Sequence, residues 1–506
     1  VNTLLTAPVF VPFLGATVAL IAARHRRVQQ FVSLVVLAAV VGLSVSVLTT
    51  VLRDGPSATR IGGWPASIGI IYVADTLSAL MLVISALLML AVMVFAIGQR
   101  ADTRSPWFHP SYLVLSGGIA MAFLTGDLFN LFVAFEVLLI ASYVLLTLNG
   151  DRRQVRAGMT YVVMNLLEST LLVAAIALVY GATGTVNMAL IAERMGDVPD
   201  GVRYSLQFLL LIAFGMKAAI FPLFFWLPDS YPTAASPVTA VFAGLLTKIG
   251  VYALIRVQTL IFPSDTVSIV LLTLAALTMV VGVIGAIAQK DMKRILSFHI
   301  VSQIGYMLLG LGIGGIAGLA ACVFFVLHQI PVKTSLFLVE GIVETDTGTS
   351  DLNRVGGVLH RSGWLAVMFG LSALSLAGVP PLSGFVGKIA LVEAGFSNGA
   401  TSAMVVTAIS LAVSILTLFS MTKIWAGVFW GKPESVHPLR ERLRMGRAMG
   451  AATAAVVVIG LFIAIAAGPI YDVSRQAAEE LDGNDAYITA VTGVPDGLAA
   501  ATQGGR

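Results

Sequence analysis

Gly215-Met216-Lys217-Ala218-Ala219-Ile220-Phe221-Pro222-Leu223-Phe224-Phe225-Trp226-Leu227 places one lysine and one proline inside an apolar run. The run sits within a segment, 202–231, that is too long for one regular span. A second overlong segment, 362–398, carries Pro380-Pro381-Leu382-Ser383-Gly384-Phe385-Val386 and then Lys388. Proline removes a helical hydrogen bond, and the freed carbonyls can then face a water-filled cavity. Two broken helices, each with a nearby titratable amine, decide how the rest of the chain reads.

Around them the chain is uniformly apolar. Of its 506 residues 58% are hydrophobic and 11% are charged, against roughly 25% charged in soluble domains. A spanning helix needs about 20 apolar residues. Fourteen runs qualify: 3–22, 28–52, 72–98, 110–126, 128–149, 156–180, 202–231, 235–259, 267–288, 295–314, 317–344, 362–398, 402–430 and 447–470. The connections are short, which excludes a separate soluble domain. Segment 53–71 reads as a turn-rich hairpin. No cleavable leader is expected, because the apolar stretch 3–22 is followed, not preceded, by Arg24, Arg26 and Arg27. The fold class is an all-α polytopic membrane protein.

Aligning Pro222 with Pro381 gives an offset of 159 residues, and an offset of 163 sets Tyr143 on Tyr306. Two five-span repeats, spans 4–8 and 9–13, follow from this. An odd span count inverts the second copy in the membrane, the architecture of many secondary transporters. The expected organisation is an N-terminal three-helix region with a hairpin (1–109), a first repeat (110–259), a second repeat (260–430), and a basic loop, span 14 and polar tail (431–506). The tail after Asp472 is expected to be polar and mobile.

Basic residues set the orientation. With the loop after span 1 inside, 18 of the 30 Lys and Arg fall in inside segments, including Arg26, Arg104, Lys293, Lys432, Arg440, Arg442 and Arg444. Seven fall outside, among them Arg60, Arg256 and Arg506. Both termini then face outward. The remaining five are all lysines within spans: Lys217, Lys248, Lys333, Lys388 and Lys423.

A lysine at a span centre costs roughly 2.5–3.5 kcal/mol on insertion scales. Arginine would serve for a permanent charge, whereas lysine can release its proton when buried. A set of buried lysines therefore points to proton handling. Lys423, near a span end beside Trp425 and Trp430, fits snorkelling to the interface better. Glu136 and Glu168 lie mid-span and require partners. His299 and His328 also lie in spans, and Lys333 follows His328 by five residues on nearly the same helix face. A lone buried histidine is usually a packing residue, so their roles stay open. Glu340, Glu344 and Glu393 sit nearer span ends, where solvation and a path role are equally open. Asp75 and Asp127 read as helix caps. The single Cys322 permits no internal disulfide, and no HxxxH or CxxC spacing offers a metal site.

Lys217, Pro222-Leu223-Phe224-Phe225-Trp226-Leu227-Pro228-Asp229, Ser236-Pro237-Val238 and Lys248-Ile249-Gly250-Val251-Tyr252 together resemble the proton-translocating antiporter-like subunits. That family includes the large membrane subunits of complex I and of the Mrp-type multisubunit Na⁺/H⁺ antiporters. Gly62-Gly63-Trp64-Pro65, Val73-Ala74-Asp75-Thr76-Leu77, Val332-Lys333-Thr334-Ser335 and Gly378-Val379-Pro380-Pro381-Leu382-Ser383-Gly384-Phe385-Val386-Gly387-Lys388 are similar to the D-type subunits of Mrp antiporters. The resemblance implies a proton path through Glu136 paired with Lys217, then Lys248, His328 or Lys333, and Lys388. Glu168, His299 and Lys423 are additional candidates, and Pro222, Pro380 and Pro381 mark the helix breaks. It further implies no enzyme activity and no cofactor. The expected partners are A-, B-, C-, E-, F- and G-type Mrp subunits, protons, Na⁺ or K⁺, and the lipid of a bacterial inner membrane, with no nucleic acid. A complex I-like or membrane-hydrogenase proton-pumping subunit is the alternative. A scaffold whose lysines only bind partners or headgroups is a third reading, disfavoured by mid-span placement.

Overall fold

The computed structural model describes residues 3–66, 69–148, 150–263, 267–431 and 446–493. The basic segment with Lys432, Arg440, Arg442 and Arg444, and the tail end with Arg506, lie outside the described residues.

The chain opens with α1 (Thr3–Ile21) and α2 (Arg26–Asp54). A two-stranded antiparallel hairpin follows, β1 (Ser57–Arg60) and β2 (Ile71–Ala74), with Ser57 opposite Ala74 and Arg60 opposite Ile71. Next come α3 (Thr76–Gln99), α4 (Phe108–Leu124), α5 (Leu128–Thr147), α6 (Arg152–Thr183) and the short α7 (Met188–Met195). The first broken span is α8 (Asp200–Ala218) followed by α9 (Trp226–Ser230). Then run α10 (Ser236–Ile261), α11 (Ser268–Ala288), α12 (Met292–Ile313) and α13 (Gly315–Thr347). The second broken span is α14 (Gly363–Ala377) and α15 (Ser383–Ser397). α16 (Thr401–Trp430), α17 (Arg447–Ile465), α18 (Ala467–Gly483) and α19 (Asp485–Thr492) complete the described chain. Eleven of the described helices are long and apolar enough to cross a membrane, and α4 and α14 are shorter apolar helices.

The helices sort by burial. The span window of α10 is 100% buried, whereas that of α2 is 28% buried. Large apolar side chains such as Phe31, Ile269, Ile415 and Ile465 stand exposed on the peripheral helices. An apolar outer surface of this extent belongs in lipid. The most enclosed helices, α10, α12 and α13, carry Lys248, His299, His328 and Lys333. Charge is therefore concentrated on the axis of the bundle, away from lipid.

Helix starts and ends are written in local chemistry. Asp75 accepts from Ser78 N at 2.9 Å while Ser78 Oγ accepts from Asp75 N, a reciprocal cap on α3. Asp127 and Asp291 cap α5 and α12, accepting from Asn130 N and Arg294 N. Glycines in the left-handed region, Gly184 (φ 70°) and Gly348 (φ 73°), end α6 and α13.

Two stretches repeat one another bond for bond. Thr183-Gly184-Thr185-Val186-Asn187 and Thr347-Gly348-Thr349-Ser350-Asp351 are 164 residues apart. In each the first threonine hydroxyl donates to the carbonyl four residues back and to that of the second threonine. Each stretch then forms an antiparallel bridge, Asn187 to Asp127 and Asp351 to Asp291. The first lies near the hairpin, since Thr125 bridges Tyr72 just before α3. The second lies near the other end of α3, where Gln99 donates to Thr345 at the end of α13. Equivalent motifs at opposite ends of α3 are what an inverted repeat requires.

The breaks match in the same way at an offset of 159. Ala219 (φ 61°) and Gly378 (φ 89°) are left-handed, and the next residues, Ile220 and Val379, donate back to Gly215 O and Leu374 O at 3.0 Å each. Both are 6→1 terminations. A Cβ on Gly378 would stand 2.7 Å from Lys388 Cδ, so glycine there lets the lysine pass the break.

The tail departs from expectation. Residues 472–493 form most of α18 and all of α19, packed back on the bundle. Ser474, Ala477, Ala478 and Leu481 form the buried face of α18. Glu480 accepts from Thr76 N at 2.9 Å and from the Thr76 hydroxyl at 2.6 Å. Asn484 donates to Thr259 O, and the Tyr487 ring lies 4.9 Å from the Arg256 guanidinium. Arg256, assigned from sequence to an outside loop, is buried in α10 and paired with Asp75 at 2.7 Å. The polar residues of the tail fasten it to the α3 start, where solvation alone suggested mobility.

Small residues set the helix spacing, as in other membrane bundles. A Cβ on Gly282 of α11 would lie 2.5 Å from Ser302 N of α12, a backbone atom that cannot yield. Gly42 of α2 has nothing within 4 Å. Gly282→Val is expected to lower thermal stability by about 1–3 kcal/mol or to block folding outright, while Gly42→Ala leaves it unchanged. Melting of the detergent-solubilised protein, followed by size-exclusion fluorescence, measures both.

On the face opposite the hairpin, Asp102 in the α3–α4 turn receives Arg26 Nε and Nη2 at 3.0 Å, Gln30 at 2.7 Å and His109 Nε2 at 3.3 Å. Burial pushes this carboxyl up, but the bonds from His109, Arg26 and Gln30 outweigh it and hold the group at about 2. A depressed carboxyl stabilises the fold above its unfolded value of about 4 and loses that contribution as pH falls toward the folded value. Asp102→Asn is therefore expected to cost about 2 kcal/mol at pH 7. Its difference from the parent should shrink between about pH 4 and pH 2, which melts across that range will show.

Candidate proton path

Seven of the described helices contribute titratable side chains to the bundle axis. On α8, Lys217 Nζ donates to Asn165 Oδ1 at 3.0 Å and to Glu168 Oε2 at 3.1 Å. Asn165 and Glu168 are three apart on α6 and so share a face. The amine also lies 5.0 Å from the Phe135 ring centroid. Lys217 is thus a paired cation, and its carboxylate is Glu168. The expected Glu136–Lys217 pair is not formed. Glu136 on α5 instead accepts from the Ser169 hydroxyl, one residue along α6 from Glu168. The choice depends on the rotation of α6 between α5 and α8, which no single-helix pattern encodes.

Lys248 is the next lysine. A Cβ on Gly250 would lie 2.6 Å from Ala218 N, so glycine lets α10 meet α8 backbone to backbone beside Lys217. Over Phe242–Leu246 the helix widens to π turns, a distortion frequent at functional sites. Lys248 Nζ donates to Ala243 O in that widened stretch.

Lys333 on α13 is wholly buried, and its Nζ has no hydrogen-bond partner. It lies within Coulombic range of both Lys248 and Lys388. His328, one turn away, shares its Nδ1 with Ser383 Oγ at 2.9 Å, and its Nε2 is unpartnered. His299 on α12 pairs Nε2 with Ser420 Oγ at 2.9 Å and leaves Nδ1 unpartnered. Gln303 and Gln329 also leave an amide nitrogen and an amide oxygen unpartnered. Buried polar atoms of this kind ordinarily hold water.

Lys388 on α15 reaches back across the second break. Its Nζ donates to Leu376 O at 3.1 Å and to Ala377 O at 3.0 Å, the carbonyls freed where α14 ends. The amine sits 4.7 Å from the Tyr306 ring centroid, and the Tyr306 hydroxyl is held by Ser410 O and Ser414 Oγ. Pro380 and Pro381 occupy the break itself, and Pro222 the first one. Lys423 stands apart. It donates to Ile287 O at 2.8 Å and to Gln289 O at the end of α11. A helix C-terminus attracts a cation, and this contact places the lysine on a helix end, off the axis.

Residue-type reasoning missed several members. Asn165, Ser169 and Ser383 are too common in spans to stand out. Lys293, counted from sequence as an inside-loop residue, is buried at the start of α12 against Glu344 at 2.7 Å, with Glu340 at 4.0 Å. The repeated Thr-Gly-Thr-x-Asn/Asp stretch would have located the repeat directly. Among the described residues no group of three or more His, Cys, Asp or Glu could hold a metal ion.

The family described as NADH:quinone oxidoreductase/Mrp antiporter, transmembrane, matches residues 125–417. The D-type Na⁺/H⁺ antiporter subunit of Alkalihalophilus pseudofirmus is 40% identical over 494 residues, covering 97% of this chain and 99% of that protein. The D-type Na⁺/H⁺ antiporter subunit of Bacillus subtilis is 35% identical with the same coverage. A chain of the Mrp complex from Dietzia sp. DQ12-45-1b superposes with a TM-score of 0.91 at 34% identity, covering 97% of this chain and 100% of that one. A chain of the archaeal membrane-bound sulfane sulfur reductase has the same fold, with a TM-score of 0.88 at 24% identity over 96% and 99% of the two chains. With an enclosed line of lysines, two matched helix breaks and these relatives, the chain belongs to the NADH:quinone oxidoreductase/Mrp antiporter family, among its D-type Na⁺/H⁺ antiporter subunits.

Proposed function

We propose that this multi-pass membrane protein carries protons for the exchange of Na⁺, and also of K⁺, in a multisubunit Mrp complex of a bacterial cell membrane. It is a transporter subunit, not an enzyme. Its partners in this reading are A-, B-, C-, E-, F- and G-type subunits. The repeats of residues 110–259 and 260–430 supply the two halves of the path.

The observation that carries the reading is Lys333: a fully buried amine without a partner, in electrostatic range of Lys248 and Lys388. A charge left so is costly to keep, whereas a neutral amine is far less so. Three neighbouring lysines cannot all hold their protons cheaply, so a proton arriving at one favours release from the next. Glu168 opposes this at Lys217, where a carboxylate in contact favours the charged amine. Loss of that contact would send the proton on toward Lys248. Glu136 acts on the same site through Ser169. Beyond Lys333, His328 with Ser383 and Lys388 with the Leu376 and Ala377 carbonyls form the far end, with waters bridging the gaps.

Na⁺-driven dissipation of a pH gradient in everted vesicles tests this. Lys217→Ala and Lys248→Ala are expected to abolish exchange in complexes that still assemble. Lys248→Arg should fail as well, because arginine keeps the charge but does not release its proton. Full exchange in any of these assembled variants would sink the reading. Ser169→Ala, which only cuts the Glu136 contact, is expected to slow exchange several-fold, on the order of 1 kcal/mol for one lost hydrogen bond.

A further inference from the structure

Where the path opens on the face opposite the hairpin is not given by the lysine line itself. A cavity of about 430 Å³ lies on that face between α3, α10, α12 and α13. Its walls include Gln99, Arg104, Asp151 and Ser236. Lys293 and Glu344 form its floor. Lys293 Nζ is 2.7 Å from Glu344 Oε2, and Ser236 Oγ donates to that oxygen at 2.9 Å. Behind the floor sits Glu340, wholly buried. One of its oxygens accepts from Ser350, while the other has no hydrogen-bond partner and lies 4.0 Å from Lys293 Nζ.

The two carboxylates and Lys333 lie on α13 at intervals of seven and four residues, which is one helix face. Seven residues is about 10 Å along the axis, a gap a short file of water can bridge. Lys293 therefore stands between the Glu344 carboxylate at the cavity and the buried Glu340 carboxylate, the nearer of the two to Lys333 along α13. Asp291 is in range of both Lys293 and Glu340, and Arg104 and Asp151 are the charged groups on the cavity walls.

We propose that this cluster is the port of the proton path on the face opposite the hairpin, with Glu340 as the group that passes protons between the cavity and Lys333. Resting on the proton-path reading above, it works by exchange of one cation. Protonation of Glu344 from the cavity frees Lys293 to turn to Glu340. With the Lys293 ammonium beside it, the protonated Glu340 carboxyl gives up its proton, which passes along the water file to the Lys333 amine. Each transfer moves one proton from an acid to a base, and the port returns to its starting state when Glu344 loses its proton, Lys293 swings back to it, and the Glu340 carboxylate takes a proton from a hydronium ion of the cavity. The carboxylate pair of the cluster has no counterpart in the first half. The positions 164 residues before Glu340 and Glu344 are Ile176 and Tyr180, so the port belongs to one face only.

The test uses the assembled complex in vesicles of both orientations. Glu340→Gln is expected to slow Na⁺-driven proton exchange by ~10-fold or more, and Glu340→Asp to restore part of it, in line with the usual weight of a proton-transfer group. Thr345→Cys, beside the cavity, should react with a charged membrane-impermeant thiol reagent, since the native Cys322 is buried. Modification should slow exchange only in vesicles that present this face to the reagent, an effect that a packing role for Glu340 would not produce. Parent-level exchange in Glu340→Gln, or in fully modified Thr345→Cys, overturns the port. If Glu340→Gln does not assemble, the Thr345→Cys result decides alone. Lys248→Ala run in parallel separates the readings: loss there with full exchange in Glu340→Gln removes only the port, and full exchange in both removes the path.

Discussion

A helix that stops inside a membrane bundle frees carbonyls that must find a donor in the protein or in enclosed water. The two interrupted spans differ in the donors that the protein supplies. At the α8 break the Trp226 indole donates to Met216 O at 3.3 Å, and Phe221 N finds the Thr278 hydroxyl at 3.0 Å. At the α14 break the donor is the Lys388 amine. The same backbone turn thus receives an indole at Met216 O in one half and a lysine at Leu376 O and Ala377 O in the other. Dipoles of freed carbonyls suit an ammonium, and they let the bundle hold a cation without a carboxylate beside it.

The same economy runs along the axis. Lys217 has a full ion pair, Lys248 and Lys388 have backbone carbonyls, and Lys333 has nothing. Support for the charged amine is therefore graded through the molecule. A gradient of support is what a proton relay needs, because a uniformly paired row would trap each proton where it sits. Packing keeps the grading in place. Glycines at 250, 282 and 378 let helices or side chains pass where a Cβ would collide.

Much of this was legible in the sequence. The apolar runs correspond to the described helices, the two proline-bearing segments are the two breaks, and four of the five span lysines lie on the axis. What was not legible depends on how helices are rotated against one another. Glu168 outranks Glu136 as the Lys217 contact because α6 presents Asn165 and Glu168 together. Lys293 read as a loop cation because it is two residues from Asp291, the α12 cap, yet α13 folds over it. Lys423 was ambiguous for the same reason, since the α11 end that it caps is 134 residues away. The tail read as mobile because its charges are those of a solvated segment. Its apolar residues are spaced for a helix, and Glu480 and Tyr487 have partners hundreds of residues distant.

At the centre of the proposed path, a lysine without a partner, held between two supported ones, passes protons. Na⁺-driven proton flux through the purified complex reconstituted in liposomes, with Lys333→Met compared with the parent, tests this most directly. Methionine fills similar space without a titratable group, so folding should survive. The expected result is an assembled complex with proton flux reduced to the leak of empty liposomes. Flux at the parent rate would contradict it, and would return Lys333 to the structural residues of α13.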